Sequence, residues 1–478
     1  MTERLCSTER PTADPEPPAG WRHAIRDSLS GREHDYTQGS LNRAITLLAI
    51  PMVLELAMES LFAVCDIFFV GRLGSAAVAT VGLTEAVLTL LYAVAIGLSM
   101  AATAMVSRRI GENDRAGAET AAVQAIAVAA GVAIVTGVPG LLLGGEILRV
   151  MGASPETLAT GSAYASIMLG SNVVIMLLFV NNAVFRGAGD PVVAMRSLWL
   201  ANGINIVLDP CLIFGWGPFP ELGVTGAAVA TLCGRGAGVI YQFRALRRGA
   251  SRIRIAREAQ RLDSAVVLRL LRLSMGGIGQ LLVATASWVA LMRLMAPFGA
   301  DAVAGYTIAV RIIVFAILPA WGLSNAAATL VGQNLGAKQP GRAERAVWLT
   351  GAYNMAFLAG VTVVFIGAAD PLVAVFNDEP VVRGVGAQAL RVISSGYVFY
   401  AWGMVMMQAF NGAGDTMTPT WANLGCFWGG QIPLAWFLAR AAGFGPDGIF
   451  WAVVLSETIL ALVMIALFRR GRWKGRVV

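Results

Sequence analysis

Charged residues are scarce in this chain of 478 residues. Asp, Glu, Lys and Arg together make up 14% of the sequence and hydrophobic residues make up 56%, whereas a soluble globular chain carries roughly 25% charged residues. This low charge content excludes a large soluble core and indicates a polytopic membrane protein. The formal net charge of +7 does not indicate nucleic-acid binding, because the basic residues cluster in loops between apolar runs.

Histidine, cysteine motifs and nucleotide-binding motifs are also missing from the apolar part of the chain. The two histidines, His23 and His34, precede the first apolar run, so carboxylates must carry any proton transfer inside the membrane. No two of the five cysteines have CxxC spacing, and we expect neither a disulfide nor a metal site. The chain has no P-loop motif that would bind ATP, and we expect no cofactor.

Twelve apolar runs reach the length of about 20 residues that a membrane-spanning helix needs. Their number and length predict an all-α polytopic membrane protein with twelve transmembrane helices, which we number in chain order. The predicted spans lie at about 45–70, 76–106, 120–143, 158–185, 192–215, 222–243, 268–297, 301–331, 346–368, 385–410, 417–440 and 447–468.

Lys and Arg are concentrated on one side of the predicted membrane. The loop at 244–272 holds nine Arg, and the C-terminal RRGRWKGRVV holds five basic residues. By the positive-inside rule, both termini are predicted to be cytoplasmic, with the protein in the cell (inner) membrane. Residues 1–40 are polar and rich in Pro and Arg, without the apolar core of a signal peptide. They are predicted to form a disordered cytoplasmic tail.

The chain repeats itself with an offset of 225 residues. Gly97 to Ala121 and Gly322 to Ala346 are identical at ten of 25 positions, and FRGAGD recurs as FNGAGD at the same offset. Each GAGD is predicted to be a tight turn that ends a helix. Because each copy has six spans, the copies enter the membrane in the same orientation, as two parallel six-helix bundles. The predicted domains are an N-lobe at 41–243, an Arg-rich cytoplasmic linker at 244–265, a C-lobe at 266–468 and a basic cytoplasmic tail at 469–478.

Three carboxylates share one face of predicted span one. At ~100° per residue, Glu55, Glu59 and Asp66 fall within ~40° of each other, and an ionisable residue inside a membrane is a functional candidate by default. Glu55 and Glu59 lie nearer the inner end, and we interpret them as a candidate proton path or as structural residues. The equivalent positions of the second copy hold no acid, so the ion chemistry is expected in the N-lobe alone.

Predicted span five carries a second polar face. Asn202, Asn205 and Asp209 are spaced by three and four residues, which places them on one side of a helix. Pro210 follows directly, and proline removes a backbone donor and disfavours helical geometry before it. We therefore predict a bend beside Asp209, and Pro51 is predicted to act as a similar hinge in span one.

Acids from three spans are expected to converge. Asp66, Glu85 and Asp209 all lie in the outer halves of their spans, and clustered like charges in a low-dielectric site favour a bound proton. A substrate or a monovalent cation would compete with that proton. The alternative is three separate acids, each bonded to local Ser, Thr or Asn. Glu85 and Asn202 complete the set of predicted ion-binding residues.

These residues and motifs resemble the multidrug and toxic compound extrusion (MATE) family over about residues 40–470. The motifs that carry the resemblance are IFFVGRLG after Asp66, GLSMAATAMVSRRIG, FRGAGD, NIVLDP and GLSNAAATLVGQNLGA. The resemblance implies a secondary antiporter that works by alternating access. It would export cationic or amphipathic organic compounds such as drugs, toxins or metabolites, in exchange for inward H⁺ or Na⁺.

The chain is similar to the DinF-type branch of that family in particular. The resemblance implies ion binding by an acid in helix one, by an Asn and an acid in helix five and by a Thr in helix six, with a bend proline in helix one. The matching positions are Asp66, Asn205, Asp209, Thr231 and Pro51. The NorM-type branch also uses acids in helices seven and ten, but helix seven of this chain has Gln280 instead. This difference favours coupling in the N-lobe over Na⁺ coupling in the C-lobe. We expect H⁺ as the coupling ion, and Na⁺ bound by Asp66, Asn205 and Asp209 is the alternative.

Other classes fit the sequence less well. A major facilitator carrier would have a GxxxDRxGRR-type motif after span two, which SRRIGENDRAGAET does not match. A lipid-precursor flippase of the wider superfamily would have extra spans and a strongly cationic cavity. A membrane enzyme would need a metal cluster, a Ser/His pair or paired aspartates, so we expect no enzyme. The expected partners are a small-molecule substrate and the lipid bilayer, without nucleic acid, and the expected state is a monomer.

Overall fold

All twelve predicted spans are helical in the computed structural model, which describes residues 21–249, 252–255, 262–476 and 478. The spans of the N-lobe are Leu41–Gly71, Ser75–Gly111, Arg115–Val150, Pro155–Ala188, Pro191–Phe214 and Val224–Arg248. The spans of the C-lobe are Ser264–Met295, Ala300–Gly336, Pro340–Ala374, 380–412, 417–441 and Pro446–Arg469. Ten of the described helices are long and apolar enough to cross a membrane, and spans ten and eleven are interrupted helices that complete the two lobes.

Side-chain caps determine where several spans begin. Asp114, Ser154 and Asp263 stand just before spans three, four and seven, and each accepts a hydrogen bond from a first-turn backbone N–H, at 2.9, 3.2 and 2.9 Å. Such a cap satisfies one of the donors that a helix leaves unpaired at its start. The local sequence therefore determines where these helices begin, close to the predicted boundaries.

The two copies share backbone features at the predicted offset, even where their residues differ. Span four is interrupted at Ser171 and span ten at Gly396, which are 225 positions apart. Asn113 and Lys338, also 225 apart, both have a left-handed backbone with φ of 59° and 57°. Non-glycine residues are uncommon in that region, so the shared conformation reflects the internal repeat rather than a shared residue type.

Both GAGD segments form the predicted turn. Gly189 and Gly414 follow the last residues of spans four and ten and have φ of 86° and 81°. The next backbone N–H, of Asp190 and of Asp415, bonds back to a carbonyl of the last turn at 2.9 Å. Glycine supplies this left-handed position without steric cost, which explains the motif in both copies.

The predicted hinge prolines lie inside continuous helices. Pro51 is within Leu41–Gly71 and Pro210 within Pro191–Phe214, so neither interrupts its span, and the predicted role of both as hinges stays a prediction. Span nine does break, at Ala368 with φ of −120° and ψ of 20°, shortly before its own proline. In a packed bundle, neighbouring helices satisfy the backbone group that a proline leaves free.

The two lobes touch at the end of the molecule where span six ends at Arg248 and span seven begins at Ser264. We call this end the linker side and the opposite end the far side. A Cβ added at Gly97 would lie 2.8 Å from the backbone nitrogen of Ile278, and one at Gly322 would lie 2.5 Å from the carbonyl oxygen of Met52. Each glycine belongs to one lobe and each neighbour to the other. The repeated GLS motif thus marks where each lobe approaches its counterpart.

The segment before span one is folded from residue 21 onward. Trp21–Ser28 is a helix, and Tyr36, which is 2% exposed, donates a hydrogen bond to the carbonyl of Gly189 at 3.1 Å. Arg342 of the C-lobe donates to the carbonyls of Tyr36, Gln38 and Gly39 at 3.3, 2.7 and 2.9 Å. The prediction of a disordered tail is therefore wrong for 21–40, because a buried ring and a guanidinium hold the chain. Residues 1–20 lie outside the described residues.

The basic segment at the C-terminus also packs onto the linker side. The ring of Trp473 stacks on Phe468 at 4.6 Å between centroids, and Trp473 is fully buried. Arg476 lies 3.2 Å from the carboxylate of Asp415 in the C-lobe, and its carbonyl accepts a hydrogen bond from Arg108 in the N-lobe. Over its described residues 469–476, the predicted tail is thus a folded segment that contacts both lobes.

Candidate functional site

A cavity between the two lobes offers about 400 Å³ to water-sized molecules. Spans one, two, four, five and six of the N-lobe and spans eight and ten of the C-lobe line it. The apolar and aromatic lining includes Phe62, Tyr92, Met100, Phe179 and Trp321. The charged lining consists of Glu55, Glu59, Glu85, Arg186 and Arg235.

Hydrogen bonds between the lobes close the cavity on the linker side. Thr329 of span eight donates to the carbonyl of Arg186 at 3.1 Å, and Gln333 donates to the carbonyl of Gly187 at 3.0 Å. These bonds join the lobes on the linker side of the cavity. The space between the lobes therefore lies beyond this contact, toward the far side.

Glu55 is held in a buried ion pair. It is 2% exposed, and its Oε1 accepts hydrogen bonds from Asn182 Nδ2 at 3.0 Å and from Arg186 Nη1 at 2.7 Å. Asn182 is in turn fixed by Ser197 and Gln242, which donate to its Oδ1 at 3.0 and 2.6 Å. A charge-assisted bond backed by such a network holds Glu55 as a paired carboxylate.

Glu59 forms a second pair one turn further along span one. Its Oε2 accepts from Asn202 at 2.9 Å and its Oε1 accepts from Arg235 at 3.2 Å. Arg235 also faces Tyr92, and its guanidinium lies 5.6 Å from the ring centre of Phe62. These contacts hold the Arg235 guanidinium against the cavity wall.

The acids nearer the far side have no such partner. Asp209 is fully buried, and neither of its carboxylate oxygens has a hydrogen-bond partner among the described residues. Asp66 is its charged neighbour and likewise makes no hydrogen bond or ion pair with a described residue. Asn205, one turn before Asp209, donates from Nδ2 to Thr231 Oγ1 at 3.0 Å, which leaves the Asn205 Oδ1 free.

Glu85 lies on the cavity wall, between the lobes. Its side chain is exposed to the cavity. The positive charge of Arg311 of span eight, which belongs to the other lobe, acts on Glu85, and the charge of Glu85 acts on Asp66. Glu85 is therefore within electrostatic range both of the unpaired acids and of the C-lobe.

The structure divides the predicted site residues into two groups. Asp66, Asn205, Asp209 and Thr231 come together in the N-lobe, with Glu85 beside them. Asn202 belongs to the other group, because it binds Glu59. The predicted role of Glu55 and Glu59 as a proton path stays a prediction, and each of them carries a salt bridge to an arginine.

Three further charged residues lie within the membrane spans but are not among the predicted site residues. Arg235 stands among small apolar residues in ATLCGRGAGV of span six, a visible signal. Arg186 lies in the last turn of span four and donates to Glu55. Glu457 lies in the middle of span twelve, so the C-lobe also holds an intramembrane acid, and the expectation that the ion chemistry belongs to the N-lobe alone stays a prediction. Comparing only the positions of first-half acids cannot detect an acid that the second half holds alone.

Two six-helix lobes around a central cavity with intramembrane charges define a multi-pass membrane transporter, not an enzyme. The chain belongs to the MatE family, whose family model matches residues 51–211 and 278–437. The match falls once in each lobe and confirms both the internal repeat and the family that the sequence motifs resembled.

Similar proteins extend over most of the chain. The probable multidrug resistance protein NorM of Thermotoga maritima is 25% identical over 443 residues, which cover 92% of this chain and 94% of that protein. The FAD transporter of Shewanella oneidensis is 26% identical over 359 residues, which cover 73% and 77%. A solved structure of the outward-facing conformation of a multidrug resistance MATE family transporter superposes with a TM-score of 0.85, at 26% identity and with coverage of 92% and 97%. The predicted fold of two helical lobes is confirmed.

Proposed function

We propose that the protein exports cationic or amphipathic organic compounds in exchange for H⁺, by alternating access of its central cavity. The observation that carries this proposal is the unpaired state of Asp66 and Asp209, next to a cavity whose other deep acids are paired with arginines. An unpaired carboxylate in a low-dielectric interior is costly. Such a group is stable when it holds a proton or a cation, which is the property that ion coupling needs.

The lining of the cavity supports a cationic, amphipathic substrate. Its three acids outnumber its two arginines, and Arg186 and Arg235 are each neutralised by a glutamate. The remaining negative charge belongs to Glu85. Aromatic rings and Met100 supply an apolar surface that adapts to different ligands. The relative from Thermotoga maritima bears the name of a multidrug resistance protein, which points to the same class of compound.

The coupling step uses the two unpaired aspartates. Protons that enter from the far side bind at Asp66 and Asp209 and remove two like charges from neighbouring helices. With this repulsion gone, spans one and five pack more closely, and the negative field that retains a cationic substrate at Glu85 weakens. The substrate then leaves toward the far side. The lobes rearrange with the protons bound and release them on the linker side.

We further propose that the linker side is cytoplasmic, so that both termini lie inside the cell and the cavity faces outward. The support is the concentration of Arg around the linker and in the C-terminal segment. The protein would lie in the cell (inner) membrane as a monomer, since each chain carries both lobes of the cavity. Asp66, Asn205, Asp209 and Thr231 together favour the DinF-type branch of the family.

Uptake of cationic dyes by everted membrane vesicles tests this function. We expect an imposed pH gradient, acid inside, to drive uptake in the wild type, and Asp66→Asn or Asp209→Asn to reduce it to background. Asp301→Asn, an exposed acid at the start of span eight, is the matched control and should transport normally. A C-terminal tag accessible on the same vesicles would place the termini on the cytoplasmic side.

The same vesicles separate the two coupling ions. Uptake that follows a Na⁺ gradient and ignores the pH gradient would show that Na⁺ occupies the aspartates instead of H⁺. Normal, gradient-driven uptake by both aspartate variants would refute the proposed site.

A further inference from the structure

A second cavity lies at the linker side of the N-lobe, and we call it the arginine cavity. It offers about 340 Å³ to water-sized molecules, within the range of about 300–1,000 Å³ that small-molecule sites span. The start of span five and the end of span six form two of its walls, and residues 30–31 of the N-terminal segment form the third. Its polar lining consists of Ser30, Asp190, Arg196, Tyr241, Arg244 and Arg248. None of these residues lines the central cavity, so export through that cavity does not account for them.

The charge of this cavity is predominantly positive. Arg244 and Arg248 are four residues apart on span six and therefore share one helix face, while Arg196 lines the cavity from span five. None of the three arginines forms a salt bridge with a described residue, and all three are exposed. Asp190 is the single acid of the described lining. The lining thus carries two more positive than negative charges, which suits an anionic ligand.

The N-terminal segment orients one of the guanidinium groups. Arg196 Nη2 donates a hydrogen bond to the carbonyl of Leu29 at 2.9 Å. A Cβ added at Gly31 would lie 3.9 Å from Arg196 Nη1, so the segment approaches the guanidinium closely. A guanidinium has five N–H donors, and this bond uses one of them. The others are available to bind the oxygens of a ligand.

The second copy of the repeat does not hold the same arginines. At the offset of 225 residues, Arg196 corresponds to Trp421 of the C-lobe. Arg248 corresponds to Trp473, which is fully buried. The positive-inside rule explains basic residues on this side of the protein, but it does not place three of them around one cavity of one lobe. The arginine cavity is therefore specific to the N-lobe and not a by-product of the shared scaffold.

Exposed apolar side chains continue from the arginine cavity along the same two helices. Leu200 follows Arg196 by four residues and is 41% exposed, and Ile240 precedes Arg244 by four residues and is 54% exposed. Span five leaves the linker side and span six returns to it, so both apolar residues lie about one turn deeper in the membrane than the arginines. A ligand with an anionic head and apolar chains matches this order of surfaces.

We propose that the arginine cavity binds the phosphate group of an anionic lipid headgroup, such as that of phosphatidylglycerol, with the acyl chains along Leu200 and Ile240. Arginine binds phosphate through two parallel hydrogen bonds, and basic pockets between transmembrane helices hold acidic headgroups. The apolar surface beside the cavity favours a lipid over a soluble phosphate compound. The site goes beyond the proposed function, because export through the central cavity does not require it.

Native mass spectrometry of the full-length protein in detergent tests this site. Phosphatidylglycerol is titrated against the protein, and phosphatidylcholine, which carries a phosphate but no net charge, is the comparison lipid. We expect the wild type to bind phosphatidylglycerol more tightly than phosphatidylcholine. Arg244→Gln/Arg248→Gln should lower the affinity for phosphatidylglycerol by about 30-fold, since each basic residue near a headgroup contributes a factor of about five.

Arg247→Gln/Arg269→Gln is the charge-matched control. Both arginines are exposed at the linker-side ends of spans six and seven, and neither lines the arginine cavity. This variant should bind phosphatidylglycerol like the wild type. Arg248→Gln alone should weaken binding by about fivefold, and it serves if the double variant at the cavity fails to fold.

Glycerol 3-phosphate, which carries the phosphate without acyl chains, separates the two sources of the ligand. Displacement of the lipid only at far higher concentrations of glycerol 3-phosphate would support a lipid site, whereas displacement at equal concentrations would overturn the lipid as the occupant. Equal affinity of the wild type for both lipids would overturn the proposal. So would equal binding of phosphatidylglycerol by the cavity variants and the control.

Discussion

Intramembrane carboxylates of two kinds lie in the N-lobe and along its cavity. Glu55 and Glu59 are each bound to an arginine and to an asparagine, so their negative charge is balanced within hydrogen-bond distance. Among the described residues, Asp66 and Asp209 have no such partner, and both carboxylate oxygens of Asp209 are buried without a hydrogen bond. A paired carboxylate keeps its charge and position, whereas an unpaired one gains stability from a proton or cation. This difference supports the proposed exchange of ions at Asp66 and Asp209, and the role of Glu55 and Glu59, as a proton path or as structural residues, stays a prediction.

The Glu55–Arg186 pair predicts a defined pattern of stability. Arg186→Gln should destabilise the protein by about 3–5 kcal/mol, because it leaves the Glu55 carboxylate buried without a counter-charge. The double variant Glu55→Gln/Arg186→Gln should recover most of that loss, since both charges are gone. Thermal unfolding of the purified protein in detergent measures both effects.

Arg149→Gln is the matched control for that series. Arg149 pairs with Glu146 through side chains that are 63% and 58% exposed, and exposed pairs contribute only about 0–1 kcal/mol. The unfolding temperature of the Arg149→Gln variant should therefore stay near that of the wild type. Equal destabilisation in the single and double Arg186 variants would contradict the ion-pair account.

Spans two and eight are the helices that close the linker side. Each begins its GLS motif with a glycine that faces the backbone of the other lobe, Gly97 toward Ile278 and Gly322 toward Met52. A residue with a side chain at either position forces the lobes apart. The two glycines therefore allow spans two and eight to contact the opposite lobe in the conformation whose cavity opens toward the far side.

Gly97→Ala should shift the protein away from this conformation. The added Cβ would meet backbone atoms at 2.8 Å, and overpacking of this kind costs about 1–3 kcal/mol. We expect a larger population in which the linker-side ends of spans two and eight separate, measured as a longer distance between spin labels on those ends.

Gly82→Ala provides the control within span two, because an added Cβ at Gly82 has no atom within 4 Å. Its distance distribution should match that of the wild type. Unchanged distances in Gly97→Ala would show that the contact at Gly97 does not hold the lobes together.

The two terminal segments add a second connection between the lobes. Tyr36 binds the carbonyl of Gly189 in the N-lobe, while Arg342 of the C-lobe binds the same segment. At the other end of the chain, Arg476 pairs with Asp415 of the C-lobe and accepts from Arg108 of the N-lobe. Each segment therefore rests on one GAGD turn and is held by a basic residue of the opposite lobe, so both must shift when the linker side opens.

Removing one of these connections should favour the state with an open linker side. Arg342→Gln removes a guanidinium that bonds three carbonyls, and losing even one charged hydrogen bond changes an equilibrium by about tenfold. We expect the spin-label distances across the linker side to move toward the open population. Arg345→Gln changes an exposed neighbour on the same helix and should leave them unchanged. Identical distances in both variants would contradict a role for the N-terminal segment.

Much of the architecture follows from local features of the chain. The bilayer sets the length of each apolar run, and the offset of 225 residues is visible in identical motifs, so the spans and the two lobes are predictable. The i, i+4 spacing also places Asn205 beside Asp209 on one helix face. The apolar length of spans ten and eleven also predicts them. Hydropathy does not depend on the helix break at Gly396 or on the π-helical turns of Leu424–Gln431.

By itself, the sequence determined the helices, their repeat, the family and most of the residues that carry charge into the membrane, because each of these depends on short-range pattern. Only the tertiary structure decided which acids are balanced and which are free. Glu55 and Arg186 are 131 positions apart, and Glu59 and Arg235 are 176 apart, so their pairing depends on how helices pack. The same packing leaves both carboxylate oxygens of Asp209 without a hydrogen-bond partner among the described residues.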